Sequence, residues 1–390
     1  MAKGAVIGIG EVPSGRFPER TALEAALQAA REAIVDSGID KSEIDVVMPC
    51  GALFSREFNT SLGVGRLVEE LGLLGTAGTN VQVFAGGSSG TVMLQVASGL
   101  ISAGLARNVL CVHSDQLGTG VDKTQGIDLF ATVGMSNEWE IPFGVNFSAI
   151  AGLITNRYMH ETGTTPEQVA AVCVSMREWA KLNPHAMYRG PLTVEDVLNS
   201  KMLATPIHAF ESNMLADGAA AMVISAPDTA PDKTDTPVYL LGASGRTTHY
   251  TLAAEADMAR FSYATAAQEA FAMAGLSPAD VQLAQIYDSY PVFVLIALEE
   301  VGLIPRGEAG AFVAAGHTQP GGKLPMTTNG GMLSQGHTGA GGGFAIMVET
   351  IRQLMGKAGD RQVDATFAVE TATGGTYMDA HVAVLGNQRP

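Results

Sequence analysis

Two hydrophobic periods alternate along this chain. Short apolar runs that suit strands occur at Val6 to Ile9, Ile44 to Met48, Asn80 to Phe84 and Asn108 to His113. Between them lie stretches of helical period. Thr21 to Ser37 places Leu23, Ala26, Leu27, Ala30 and Ile34 on one face, with Gly38 as its stop, and Thr91 to Ala103 is apolar nearly throughout. Further on, Ala264 to Ala274 and Phe344 to Leu354 read as helices, Val281 to Tyr287 and Ala365 to Glu370 as strands, and Asp217 to Ile224 as a turn plus strand. Alternation of this kind predicts an α/β fold with a sheet covered on both faces.

The order of elements recurs. Helix, Gly38-Ile39-Asp40-Lys41 and strand in the first part match helix, Gly275-Leu276-Ser277-Pro278 and strand in the second. The turn Gly86-Gly87-Ser88-Ser89-Gly90 opens a helix followed by a strand, and Gly330 to Gly343 does the same later. We read an internal duplication, with halves at 1–245 and 246–390. Residues 117–212 differ in character and hold both tryptophans, Trp139 and Trp179, which suits a helical insertion over one face.

Composition narrows the function. Apolar residues make up 46% and charged residues 16%, enough for a large core. A formal charge of -16 with no cluster of Lys and Arg argues against a nucleic-acid partner. Cys50, Cys111 and Cys173 are scattered, which suggests reduced thiols and a cytoplasmic location. Cys111 lies in an apolar run and reads as a buried strand residue. No run reaches the ~20 apolar residues of a spanning helix, so no membrane partner is expected. The histidines show no metal-like spacing, and no metal is expected.

Three glycine-bounded turns carry the candidate chemistry. Tyr287 ends a predicted strand beside Asp288, and His337 sits between Gly336 and Thr338-Gly339. A phenol can give a proton to a carbanion or, with a suitable neighbour, take one; an imidazole moves protons near neutral pH. Alone, His337 would read as a structural histidine, but its flanking glycines and Tyr287 favour a site. Asp288 reads as an acceptor for turn N–H groups. Helix-opening turns leave N–H groups free to hold a negative oxygen. Ser88 and Ser89 have no base beside them in sequence and read as helix caps. His249 is a candidate lining residue, and Tyr290 suits packing.

Taken together, these segments resemble the thiolase superfamily along nearly the whole chain, most closely its sterol-carrier or lipid-transfer type. The resemblance is carried by Tyr287-Asp288-Ser289-Tyr290, Leu324-Pro325 with Asn329-Gly330-Gly331, the glycines around His337, Asp217-Gly218-Ala219-Ala220, Lys181-Leu182-Asn183-Pro184 and Ser200 to Ala204. It implies a thiolase fold of two duplicated αβα halves, five layers αβαβα, with an inserted loop domain. It also implies a homodimer and a coenzyme A thioester substrate, with coenzyme A as part of the substrate and no bound cofactor.

The departures decide the chemistry. Where thiolases carry Cys-x-Ser-Gly, this chain has Gly87-Ser88-Ser89-Gly90, and the second thiolase cysteine is missing around Thr371 to Thr373. A branch without the cysteine works as aldolases on steroid acyl-CoAs, with Tyr287 at the position of a proposed catalytic tyrosine, His337 at that of a second tyrosine, and a small OB-fold (zinc-ribbon) partner. The expectation is a retro-aldolase acting on a β-hydroxyacyl-CoA. His337 is assigned as base and Tyr287 as acid, with enolate contacts from turns at Gly87, Ser88, Gly374 and Gly375, and support from Asp288, Asn329 and His249. The rivals are an acyltransferase with a non-standard nucleophile and a non-catalytic acyl-CoA carrier or scaffold.

Overall fold

The computed structural model describes residues 3–51, 63–121 and 134–389. Its strands are β1 (Gly4–Gly15), β2 (Val46–Pro49), β3 (Asn108–Gln116), β4 (Met202–Ala204), β5 (Ile207–His208), β6 (Asp217–Ser225), β7 (Val238–Thr247), β8 (Leu283–Gln285), β9 (Phe367–Ala372) and β10 (Asp379–Gly386). β4 and β5 form a small hairpin; the others make one mixed sheet in the order β2-β3-β6-β1-β7-β10-β9-β8.

The duplication is visible in this order. Val83 adds a parallel bridge to Cys50 just past β2, and Met326 adds one to Ala284 in β8. Numbered along the chain, the segments β1, β2, Val83, β3, β6 lie side by side as third, second, fourth, fifth, first. The segments β7, β8, Met326, β9, β10 repeat that arrangement. The orientations repeat too: β2 with β3 and β8 with β9 are parallel, and the remaining pairs are antiparallel. The two sets join through three antiparallel residue pairs, Gly4 with Leu240, Ala5 with Tyr239 and Val6 with Val238. Residue 245, taken from sequence as the end of the first half, falls inside β7.

The helices complete the layers. Helix Ala22–Ser37 lies against β1, β3 and β6, and helix Tyr263–Ala274 lies against β7 and β10. Helices Ser89–Ser102 and Gly342–Leu354 pack on each other and touch strands of both sets, so they form the middle layer. Met93, Leu94, Ala97, Phe344, Met347 and Ile351 fill it. The local reasons are plain. Thr21 and Glu24 form a reciprocal capping box, and Gly38 closes the helix at φ 72°.

One strand expectation needs revision, and two strands were not foreseen. Asn80 to Phe84 makes only the single bridge at Val83, since the segment lies at a sheet edge with a partner on one side. β7 and β10 were not anticipated: their alanine, glycine and serine positions dilute the β-branched signal. Between β3 and β6, helices Phe147–Thr162 and Pro166–Leu182 lie against helix Pro291–Glu300. Arg177 donates to Ser334 Oγ at 3.0 Å and Trp179 Nε1 donates to the Thr318 carbonyl at 2.8 Å, which fastens the insertion over the turns of the second half. Among the described residues no helix is long and apolar enough to cross a membrane.

Candidate active site

β8 ends at Gln285, and the next residues are held by side chains from neighbouring segments. Ile286 N–H donates to Thr327 Oγ1 and Tyr287 N–H to Thr371 Oγ1, each at 3.1 Å. Asp288 then turns inward and accepts from the N–H groups of Met332 at 2.8 Å and Leu333 at 3.2 Å. Asn329 Oδ1 accepts from Gly331 N–H at 2.9 Å, while its carbonyl accepts from Asn183 Nδ2 at 2.9 Å. Asp288 and Asn329 therefore shape the short helix Gly331–Ser334, and neither lines the adjacent cavity. Past that helix, His337 is clamped by its backbone: its N–H donates to the Met214 carbonyl at 2.7 Å, and its carbonyl accepts from Ala216 N–H at 2.9 Å.

These constraints bring the two proton-handling side chains together. The Tyr287 hydroxyl lies 3.3 Å from His337 Nε2, and both residues line a cavity of about 420 Å³. The apolar part of the wall includes Met135, Phe147, Leu203 and Leu215. Tyr287 and His337 are 6% and 7% exposed, so the pair is nearly dry but faces an open volume.

Gly87 explains why the phenol sits there. A Cβ at residue 87 would collide with the Tyr287 hydroxyl and the Thr373 carbonyl. The space beside this backbone, where a side chain at position 87 would project, is already filled by Tyr287. The four glycine-turn candidates then separate. Gly87 and Gly375 line the cavity. Ser88 is fully buried, its hydroxyl donates to Asp379 Oδ1 at 2.8 Å, and Gly374 N–H donates to the same oxygen at 2.6 Å. Ser88 stands at the start of helix Ser89–Ser102 without making a capping bond, and Ser89 Oγ donates to the Gly86 carbonyl at 2.6 Å.

Burial sets the electrostatics. Loss of water pushes the Tyr287 phenol well above its ordinary range, and the Asp288 and Asp379 carboxylates add to this. Burial lowers His337 to about 4, with nearby His113 also disfavouring the imidazolium. At neutral pH the pair is a neutral phenol against a neutral imidazole. Asp288 is raised to about 7 by burial, offset in part by the two N–H bonds it accepts.

His249, expected as a lining residue, instead contacts the turn between Gly375 and Tyr377: its Nε2 meets the Thr376 carbonyl at 3.2 Å, and it does not line the cavity. Cys50, Cys111 and Cys173 are buried, all three thiols are pushed up by burial, and none lines the cavity. Sequence reasoning missed Tyr377, Ser289 and Asp379, and assigned Tyr290 to packing only. Tyr290 does pack edge-on against Phe293, yet it also lines the cavity and bonds Ser148 Oγ at 3.0 Å. Tyr377 adopts φ 63°, stacks on Phe293 and lines the cavity. The only advance signal was its place next to the glycines of the last turn.

Comparison with known proteins fits this geometry. A thiolase C-terminal domain-like family matches residues 244–387. An acetyl-CoA acetyltransferase of Methanothermobacter thermautotrophicus is 31% identical across 99% of this chain and 100% of its own length. A steroid side-chain-cleaving aldolase of Thermomonospora curvata is 31% identical across 99% of this chain and 98% of its own. Among solved structures, an Ltp2-ChsH2(DUF35) aldolase superposes with a TM-score of 0.86 at 29% identity, covering 98% of this chain and 97% of that one. Human mitochondrial 3-ketoacyl-CoA thiolase shares the fold at a TM-score of 0.72 and 16% identity. Full-length similarity at this level and the repeated strand order agree: the chain belongs to the thiolase superfamily.

Proposed function

We propose that this protein is a carbon–carbon lyase that cleaves a β-hydroxyacyl-CoA into a ketone or aldehyde and a shorter acyl-CoA. The observation that carries the reading is the Tyr287 phenol, which occupies the space beside Gly87 and meets His337 across 3.3 Å. A dry, neutral acid–base pair with no thiol at position 87 suits a reaction that needs proton transfer and no covalent acyl-enzyme.

The β-hydroxyl loses its proton to the pair, with His337 as the final acceptor. The Cα–Cβ bond breaks, the β-carbon becomes a carbonyl, and the electron pair passes into the thioester as an enolate. In this reading the enolate oxygen is held by N–H groups of the turns at Gly87 and Gly375, both of which line the cavity. Tyr287 gives its proton to the α-carbon, and the proton held by His337 restores the phenol. Charge and protons balance, and no sulfur takes part. Asp288, Asn329 and Ser88 hold the frame, and Asp379 ties the turns at Ser88 and Gly374 together.

The acetyltransferase relative favours a second reading, acyl transfer through a non-standard nucleophile. Incubation with acyl-CoA followed by intact mass separates them: the lyase predicts released ketone or aldehyde and no adduct. A stable acyl-enzyme would overturn it. A carrier would bind the thioester and release nothing. Because relatives are named for steroid side-chain cleavage and for an aldolase paired with a second protein, a panel should include steroid acyl-CoAs. The proposal includes a homodimer and a small OB-fold second subunit, tested by co-purification.

A further inference from the structure

The cavity has two polar centres. One is the Tyr287–His337 pair. The other is a hydroxyl cluster on the wall: Ser289 Oγ donates to the Tyr377 hydroxyl at 3.1 Å, and Tyr290 bonds Ser148 at 3.0 Å. All four of these side chains line the same volume. Among the described residues, no bond joins the cluster to the acid–base pair.

Tyr377 is built into place. A bulky residue at φ 63° is uncommon, and such strain persists where the surroundings enforce it. Here they do: the ring stacks on Phe293 with centroids 3.6 Å apart and meets Phe147 edge-on at 6.1 Å. The residue is 3% exposed. Its oxygen accepts from Ser289, while its own hydrogen has no protein acceptor among the described residues. A hydrocarbon chain in this cavity would leave that donor buried and unpaired, which is unfavourable; a ligand oxygen would remove the penalty.

We infer that Tyr377, oriented by Ser289, is a specificity-determining residue that donates to a second oxygen on the fragment leaving as ketone or aldehyde. The preferred substrates are then β-hydroxyacyl-CoAs whose leaving fragment carries a further hydroxyl or carbonyl. This deepens the lyase reading of the Tyr287–His337 pair and rests on it.

The test compares paired thioesters of equal carbon skeleton, with and without that second oxygen, on the full chain and on Tyr377→Phe and Ser289→Ala. Two readouts are taken: carbonyl release, and calorimetric binding of the matching thioesters that lack the β-hydroxyl and cannot be cleaved. The wild type should favour the oxygenated member about tenfold or more in both. Tyr377→Phe keeps the ring and its stacking, so it should abolish the preference while holding or improving binding of the hydrocarbon member. Ser289→Ala should reduce the preference. Equal handling of the pair by the wild type, or an intact preference in Tyr377→Phe, would overturn the inference. If no thioester is cleaved but the binding preference exists and vanishes in Tyr377→Phe, the lyase reading fails and the role of Tyr377 in recognition stands.

Discussion

The two halves share a strand order but not a chemistry. The first half brings backbone to the site, at Gly87, and the cavity wall of its insertion. The second brings Tyr287, His337 and Tyr377, each on a turn leaving the repeated scaffold. Their central helices meet closely enough that a Cβ at Gly90 would strike the Phe344 backbone. A duplicated frame fixes where turns converge, while the side chains on those turns are free to diverge. Here they have diverged so far that one half fills a space left open by the other.

The strongest way to break this asymmetry is to remove the side chains that carry it. Tyr287→Phe should lower kcat by roughly 10²–10⁴ with little change in melting temperature, since the ring still fills the space beside Gly87. His337→Gln should fall in the same range. Loss confined to KM would argue that the pair only binds. Restoring a thiol to the first half should fail for steric reasons: Gly87→Cys collides with Tyr287 and the Thr373 carbonyl, and should destabilise the protein by about 1–3 kcal/mol without a trappable acyl-enzyme. Adding Tyr287→Ala should recover part of that loss in a melting experiment.

The next test concerns a contact that crosses between halves. Glu370 on β9 is fully buried, accepts from Thr91 Oγ1 at 2.9 Å, and is raised to about 8 by burial. A carboxyl that holds its proton more tightly when folded favours the fold below its unfolded value of 4.5 and loses that contribution as pH rises through about 8. Glu370→Gln should therefore gain stability over the wild type as pH rises from about 5 to 9, by on the order of a few kcal/mol. Melting curves across that range check it, and a constant difference would count against the buried, protonated carboxyl.

The smallest expected effect is on the pH profile. With His337 lowered to about 4, its lone pair stays free below the pH at which an ordinary imidazole gains a proton. The acid limb of kcat/KM should lie near 4 rather than near 6.5, measured in the short window where the fold survives. His113 is lowered to about 4 as well. Both histidines favour the fold above 6.5 and lose that contribution as pH falls through about 4, so unfolding should be followed in parallel.

Much of this was legible in the chain. The alternation of periods 2 and 3.6, Gly38 after its helix and the glycine turns before two apolar helices are local signals, and local signals survive without coordinates. The missing cysteine was equally plain, because identity at position 87 needs no structure. The run from Asn80 to Phe84 overstates its pairing, since an apolar run does not reveal how many partners it will find. Asp379 was invisible for a different reason: Ser88 and Asp379 are 291 positions apart, and no spacing announces their bond.

By itself the sequence determined the layered α/β duplication, the absence of a thiol at Gly87, and the residue types available for proton transfer. These follow from hydrophobic period, glycine placement and composition, all properties of neighbouring residues. Only the tertiary structure decided that Tyr287 fills the space at Gly87, that it meets His337 in a shared cavity, and that burial drives the pair's proton affinities apart. Those are matters of distance and lost water between segments remote in the chain, and they exist only once the two halves have packed.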